Sequence, residues 1–234
     1  MKRRLFLAAV GAALVGSAAI LPAAAPPTAA PQQRDWTRTV VETPEGGFRM
    51  GNPDAAVKLV EYGSLTCPHC ADFARSADEQ ILARVRSGKL SFEYRSFVLN
   101  GIDLTATLLA RCAGPSRFFP LTKRMFETQG EWVGKIAGMP QAQKDALKSL
   151  PGPQQLERIA DIGGLTQLAA GAGVAPAKGR QCLADEPGLD RLGQMAEQAE
   201  ALGVQGTPTF LINGAMVHAH DWAELEPLIG QAGG

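Results

Sequence analysis

The chain has 234 residues, of which 45% are apolar and 20% are charged, and its formal net charge is zero. This composition is typical of a globular protein with one domain or two closely merged ones. It lacks the excess of basic residues that a nucleic-acid-binding face requires, so we expect no nucleic-acid partner.

The N-terminal segment has the pattern of an export signal. Three basic residues, Lys2 to Arg4, precede a 17-residue apolar run from Leu5 to Leu21, and small residues follow. This order predicts a signal peptide over residues 1–25 and a Pro- and Ala-rich linker over residues 26–35. The cleavage site stays open, as does retention as an anchor, because the run is at the lower length limit for a membrane span. We expect export to the periplasm of a Gram-negative cell.

The next part of the chain predicts a strand, a helix and a strand. Residues 36–42 alternate weakly and suggest an edge strand, whereas AVKLVEY (56–62) is typical of a buried central strand. Apolar residues at helical spacing follow Pro68, and residues 89–99 alternate as in a strand. These elements predict a right-handed βαβ unit, with Cys67 at the C-terminal end of its first strand.

The remaining residues predict a long helical block and a closing hairpin with a helix. Residues 102–200 show helical patterns punctuated by Gly and Pro. TPTFLING (207–214) predicts a strand that ends in an Asn-Gly hairpin turn, AMVHA (215–219) its partner, and Asp221 the cap of a final helix.

This order of elements predicts an α/β protein with a thioredoxin fold that carries an inserted helical domain. A thioredoxin fold consists of a βαβ half and a ββα half. We assign residues 36–100 and 187–234 to these two halves, and residues 101–186 to the helical insertion.

The motif Cys67-Pro68-His69-Cys70 has the composition of a redox centre. Thiol–disulfide exchange needs an attacking thiolate and a second thiol within reach. One helical turn brings the two sulfurs together, and the helix N-terminus favours the thiolate of Cys67. Pro68 fits the first helical turn, where its missing N–H costs nothing. His69 can add a positive charge or an N–H donor toward Cys67.

Two alternatives stay open for this motif. Structural zinc would require a second C-x-x-C pair, but Cys112 and Cys182 are 70 residues apart. Copper binding by Cys67, His69 and Cys70 would make the protein a metal chaperone, and two inert buried thiols are the remaining alternative. We expect a redox centre without metal or cofactor.

EYGSLTCPHCADF (61–73) and GTPTFLING (206–214) together resemble the DsbA-like branch of the thioredoxin-fold thiol–disulfide oxidoreductases, over roughly residues 36–230. The resemblance implies that Cys67 is the exposed nucleophile and that Cys70 resolves the mixed disulfide. It also implies a cis peptide bond between Thr207 and Pro208, facing the disulfide, where an extended substrate segment can pair with the backbone. The alternative is that Pro208 starts a strand in trans.

Glu61 matches a buried acid of the family, which is thought to move protons as Cys70 ionises. Burial would raise the pKa of Glu61 and make it a proton acceptor near neutrality. A surface glutamate at a strand end is the alternative. Threonine stands at position 207, where the best-known DsbA oxidases have valine, so the strength of this protein as an oxidant stays open.

Cys112 and Cys182 form a second cysteine pair, which resembles one in an alphaproteobacterial branch of the family. Export to an oxidising compartment favours a structural disulfide between them. Separate buried thiols that behave as small apolar residues are the alternative.

We expect a monomeric oxidase that introduces disulfides into unfolded or reduced exported proteins. The resemblance implies reoxidation by a DsbB-type quinone-linked membrane oxidase. The alternatives are a disulfide isomerase or reductase on the same fold, and a non-enzymatic metal or copper chaperone.

Overall fold

The structure is a computed structural model that describes Gly11 and residues 34–233. The predicted signal peptide, apart from Gly11, and the predicted linker up to residue 33 lie outside the described residues. In the described part, no helix has both the length and the apolar character that crossing a bilayer would require.

A mixed six-stranded sheet lies at the centre of residues 34–233. Its strands are β1 (Val40–Glu42), β2 (Phe48–Gly51), β3 (Val57–Gly63), β4 (Leu90–Ser96), β5 (Thr209–Ile212) and β6 (Ala215–Val217). They are arranged in the order β1-β2-β4-β3-β5-β6, in which β3 and β4 are parallel and every other pair is antiparallel. Strand β3 therefore lies between β4 and β5, with almost all of its residues buried.

Helices account for most of the other described residues. They are a short 3-10 helix (Trp36–Arg38) and the α-helices α1 (Pro68–Ser87), α2 (Gly101–Cys112), α3 (Pro115–Glu127), α4 (Gln129–Ala137), α5 (Gln141–Lys148), α6 (Gly152–Gly163), α7 (Leu165–Gly171), α8 (Pro176–Leu183), α9 (Glu186–Ala201) and α10 (Trp222–Gln231). The segment between β4 and β5 is thus helical, as predicted, and α9 at its end packs against β4.

Helix α1 follows from local sequence signals. Phe73, Ala77, Ile81 and Val85 recur every four residues and form its buried face. The helix ends at Gly88, which has a φ of 81° and closes the C-terminus in the left-handed region.

The closing hairpin also follows from local signals. Asn213 and Gly214 have φ values of 51° and 86°, the left-handed conformation that a tight turn between two strands requires at both positions. The side chain of Asp221 accepts the N–H of Glu224 and caps α10, as predicted.

The strand predictions need five corrections, the smallest being that β6 ends at Val217 instead of residue 219. Residues 36–38 form a 3-10 helix, because Asp35 accepts the N–H of Thr37, and the edge strand is only β1. Strand β4 ends at Ser96 rather than residue 99, because its partner strand β3 ends opposite it at Gly63.

The other two corrections concern β5 and β2. Strand β5 begins at Thr209 instead of residue 207, since Pro208 has no N–H for the ladder. Strand β2 was not predicted at all. It has only four residues, too few for a recognisable alternation, and it is defined by its pairing with β4, about 40 residues further along the chain.

A disulfide joins two helices of the helical segment. Cys112 at the end of α2 and Cys182 in α8 are bonded, with an S–S distance of 2.04 Å and a sequence separation of 70. The bond closes a loop that contains five complete helices, α3 to α7.

Candidate active site at the start of helix α1

The Cys67-Pro68-His69-Cys70 motif lies where the central strand β3 passes into α1. Cys67 is the N-cap residue, with extended backbone angles, and α1 begins at Pro68. The N–H of Cys67 donates to the carbonyl of Ser64 over 3.2 Å. This turn places the Cys67 thiol beside the free N–H groups of the first helical turn.

The pKa of Cys67 is lowered to about 5. The largest cause is a hydrogen bond from the thiol of Cys70, and the side chain of Thr207 and the backbone N–H groups of Cys70 and His69 also lower it, while burial opposes them. Cys67 is therefore a thiolate at neutral pH. Thiolate is the form that takes part in thiol–disulfide exchange.

Cys67 is more enclosed than the resemblance implied, and only 6% of the residue is exposed. The carbonyl oxygen of Thr207 lies 3.3 Å from its sulfur and covers it. The Thr207–Pro208 peptide bond is cis. Cys67 and Thr207 are 140 positions apart, and their contact brings the two segments that carry the resemblance together at the sulfur of Cys67.

Cys70 has the opposite character. It is completely buried, its sulfur accepts the N–H of Ser64 over 3.5 Å, and both active-site cysteines are free thiols. The pKa of Cys70 is raised, chiefly because its thiol donates to Cys67, and also by burial and by the nearby charge of Glu61. The two thiols therefore differ in acidity: Cys67 loses its proton readily, whereas Cys70 keeps its proton.

Pro68 and His69 are both exposed at the start of α1. The backbone N–H of His69 helps to lower the pKa of Cys67. Its imidazole makes no hydrogen bond to any described residue, so the contribution expected from the side chain comes here from the backbone.

Glu61 lies in β3 between its register partners Tyr94 in β4 and Phe210 in β5. It is only 3% exposed, so it is a buried acid and not a surface residue. Burial is the main reason that its pKa is raised well above the ordinary carboxyl value, and the charges of Asp78 and Cys67 add to the effect. Glu61 is therefore protonated over a much wider pH range than an exposed glutamate.

Two residues that hold the active-site loop were missed in the sequence. The side-chain amide of Gln129, at the start of α4, donates to the carbonyls of Leu65 and Cys67, both over 2.9 Å. The carboxylate of Asp103, in α2, accepts the N–H of Leu65 over 2.9 Å and that of Leu99 over 3.0 Å. The only local signal was a polar residue on the buried face of each helix.

No group of three or more His, Cys, Asp or Glu side chains within residues 34–233 has an arrangement that could hold a metal ion.

Comparison with known proteins gives one family. A family model described as thioredoxin matches residues 43–231. A solved protein-disulfide isomerase from Novosphingobium aromaticivorans is 32% identical, with a TM-score of 0.73, and the match covers 80% of this chain and 97% of that one. Alpha-DsbA1 of Wolbachia pipientis shares the fold, with a TM-score of 0.63 at 22% identity over 79% of this chain and 89% of that one.

A curated relative from Rickettsia bellii, whose name assigns it provisionally to the protein-disulfide oxidoreductases, is 26% identical over 191 residues. The match covers 80% of this chain but only 65% of that protein's length.

The chain belongs to the thioredoxin family, and its predicted fold is confirmed. Alpha-DsbA1 is among its solved neighbours, so the resemblance to the DsbA-like branch drawn from the two sequence segments is confirmed for the fold.

Proposed function

We propose that this protein is an exported thiol–disulfide oxidase that introduces disulfides into reduced proteins through Cys67 and Cys70. The observation that carries the proposal is the inequality of the two thiols, since the pKa of Cys67 is about 5 and that of Cys70 is raised. A stable Cys67 thiolate stabilises the reduced enzyme and therefore makes its disulfide a stronger oxidant.

The reaction begins with the oxidised enzyme. A substrate thiolate attacks the sulfur of Cys67, the Cys67–Cys70 bond breaks, and Cys70 leaves as a thiolate that takes up a proton. A second substrate thiolate then attacks the substrate sulfur of the mixed disulfide and releases Cys67 as a thiolate. The substrate loses two electrons and becomes a disulfide, and the enzyme gains them as a thiol and a thiolate.

Glu61 is the proposed proton source for Cys70. It is buried, and its charge raises the pKa of the Cys70 thiol, so the two groups interact electrostatically. Because burial raises the pKa of Glu61, its carboxyl can pass a proton to Cys70 as the disulfide opens. Thr207 and Pro208 are the proposed binding site for an extended substrate segment beside Cys67.

Reoxidation needs an electron acceptor, and we propose a DsbB-type membrane oxidase linked to quinone. The proposed substrates are unfolded or reduced exported proteins, and the proposed location is the periplasm. The basic N-terminus and the apolar run that follows it support export.

Measuring the reduction potential of the Cys67–Cys70 couple tests the proposal. The protein is equilibrated with glutathione, and its reduced fraction is quantified. We expect a value toward the oxidising end of the family range, where DsbA itself lies at about −120 mV. A value near about −270 mV, that of thioredoxin, would mean that the protein is a reductase.

Disulfide isomerisation is the second candidate, favoured by the name of the Novosphingobium aromaticivorans neighbour. An isomerase recovers the activity of a scrambled disulfide protein, whereas an oxidase acts on the fully reduced one. Comparing the two rates on the same substrate protein decides between these candidates.

A further inference from the structure

Cys70 is the leaving group of the first reaction step, and its surroundings oppose a negative charge on its sulfur. It is completely buried, and the pKa of its thiol is raised by the hydrogen bond to Cys67, by burial and by the charge of Glu61. The first of these causes disappears once Cys67 is held in a mixed disulfide, but the other two remain. Expulsion of Cys70 as a thiolate therefore calls for a hydrogen-bond donor that is already in place.

The backbone N–H of Ser64 meets this requirement. Its nitrogen lies 3.5 Å from the sulfur of Cys70, and its hydrogen bond lowers the pKa of that thiol. Within residues 34–233, it is the only group that donates a hydrogen bond to this sulfur. Ser64 is itself buried, so little water competes for the donor.

The two peptide groups on either side of Ser64 are anchored by further hydrogen bonds. The first carries the Ser64 N–H and the carbonyl of Gly63, which accepts the N–H of Phe97 over 2.8 Å. The second carries the carbonyl of Ser64, which accepts the N–H of Cys67 over 3.2 Å. The donor is therefore fixed in direction before the sulfur of the leaving group becomes charged.

Asp103 in α2 holds the second of these peptide groups from its other end. The residue is completely buried, one of its carboxyl oxygens accepts the N–H of Leu65 over 2.9 Å, and the other accepts that of Leu99 over 3.0 Å. Asp103 thus joins the loop before α1 to the loop after β4. It makes no hydrogen bond to either active-site sulfur, so it acts on them through the backbone.

We propose that the N–H of Ser64 stabilises Cys70 as it leaves with the electron pair of the broken S–S bond, and that Asp103 is the positioning residue that holds this donor in place. The inference deepens the proposed redox function and rests on it. The donor acts while Cys70 carries its negative charge, before the proton from Glu61 arrives.

The test follows the reduction of the oxidised full chain by dithiothreitol, which attacks Cys67, expels Cys70 and completes the reduction with its second thiol. Asp103→Ala removes both acceptors and is expected to lower the second-order rate constant at least about tenfold. Asp103→Asn keeps the size but has one acceptor oxygen, and it is expected to lower the rate constant about threefold. The control is Thr105→Ala, a buried residue of α2 whose hydroxyl donates to Gly101 in the same helix, and its rate is expected to match the wild type.

A second reaction separates positioning from general support of the loop. In a Cys70→Ala background, Cys67 is converted to a mixed disulfide with glutathione, and dithiothreitol then releases Cys67 as the leaving group. Asp103→Ala is expected to leave this rate unchanged, and equal slowing of both reactions would overturn the proposal. Loss of a buried negative charge favours a thiolate, so it does not explain slower expulsion of Cys70.

The amide proton of Ser64 tests the donor directly, without any change at Asp103. In Cys67→Ala, ionisation of Cys70 is followed by the ultraviolet absorbance of the thiolate, and the Ser64 signal in NMR is expected to move downfield in step with it. The proposal fails if this signal does not respond, or if neither Asp103 variant slows the reduction. A wild-type disulfide that dithiothreitol does not reduce would instead overturn the proposed function.

Discussion

The side-chain amide of Gln129 donates a hydrogen bond to the carbonyl of Cys67 over 2.9 Å, across 62 positions of the chain. The same nitrogen also donates to the carbonyl of Leu65. A residue of the helical segment thus holds the backbone that carries the Cys67 thiol.

Replacing Gln129 with leucine removes this donor, so the buried carbonyl of Leu65 loses the hydrogen bond that it accepts from Gln129. We expect the free energy of unfolding to fall by about 1–3 kcal/mol. We also expect the pKa of Cys67 to rise, because its loop is no longer held against the N–H groups of α1. The control is Gln143→Leu, at an exposed position in α5. If the pKa of Cys67 does not move, Gln129 acts on stability alone.

The low pKa of Cys67 makes the stability of the reduced protein depend on pH. The pKa is about 5 in the folded protein and about 9 without its folded surroundings, so between these values the unfolded state binds one more proton. The free energy of unfolding should then rise with pH, by up to about 1.4 kcal/mol per unit relative to Cys67→Ser. Urea titrations of both reduced proteins from pH 5 to pH 8 measure the difference, and parallel curves would contradict the low pKa.

The same inequality of the thiols predicts the order of alkylation. Cys67 is expected to react with iodoacetamide at pH 6 before Cys70, because only Cys67 is ionised there. Peptide mass spectrometry after short labelling times identifies the modified residue. Faster labelling of Cys70 would reverse the assignment of the nucleophile.

Glu61→Gln is expected to be more stable than the wild type at pH 8 and similar at pH 4. The folded-state pKa of Glu61 is raised, so its ionisation destabilises the protein increasingly as the pH rises above the ordinary carboxyl value of 4.5. The variant is also expected to form and resolve mixed disulfides more slowly, because its amide has no proton to pass to Cys70. Glu79→Gln, at an exposed position of α1, is the control for both measurements.

Thr207→Val removes the side-chain hydroxyl that helps to lower the pKa of Cys67. We expect the pKa to rise and the reduction potential to become less oxidising, because the thiolate loses a stabilising partner. Thr209→Val is the matched control, since the hydroxyl of Thr209 donates to the carbonyl of Gly206 on the same loop. An unchanged potential in Thr207→Val would show that Thr207 does not tune the site.

Replacing Cys112 and Cys182 together with alanine opens a loop of 70 residues. Loop-closure entropy then predicts a loss of up to about 4 kcal/mol in the free energy of unfolding, seen as a lower midpoint in thermal denaturation. Cys67 is expected to keep its reactivity, because the second disulfide is not among the groups that lower its pKa. A double variant with the same midpoint of thermal denaturation as the wild type would show that this bond adds no stability.

The sequence by itself determined the features that depend on neighbours a few residues apart. The apolar residues at every fourth position and Gly88 define α1, Asn213-Gly214 defines the last hairpin, and the two-residue spacing between Cys67 and Cys70 puts both thiols on one helical turn. These features follow from backbone sterics and short-range hydrogen bonds, which depend on residues close together in the sequence.

Only the tertiary structure decided which distant groups surround the sulfur of Cys67. Thr207 and Gln129 reach this site from 140 and 62 positions away, and the short strand β2 joins the sheet by pairing with the distant β4. The enclosure of Cys67 and the burial of Glu61 depend on how helices and sheet pack, which no local pattern records. Burial and hydrogen bonding set the pKa of a thiol. The acidity of Cys67, which belongs to a motif of four consecutive residues, is therefore decided by residues far along the chain.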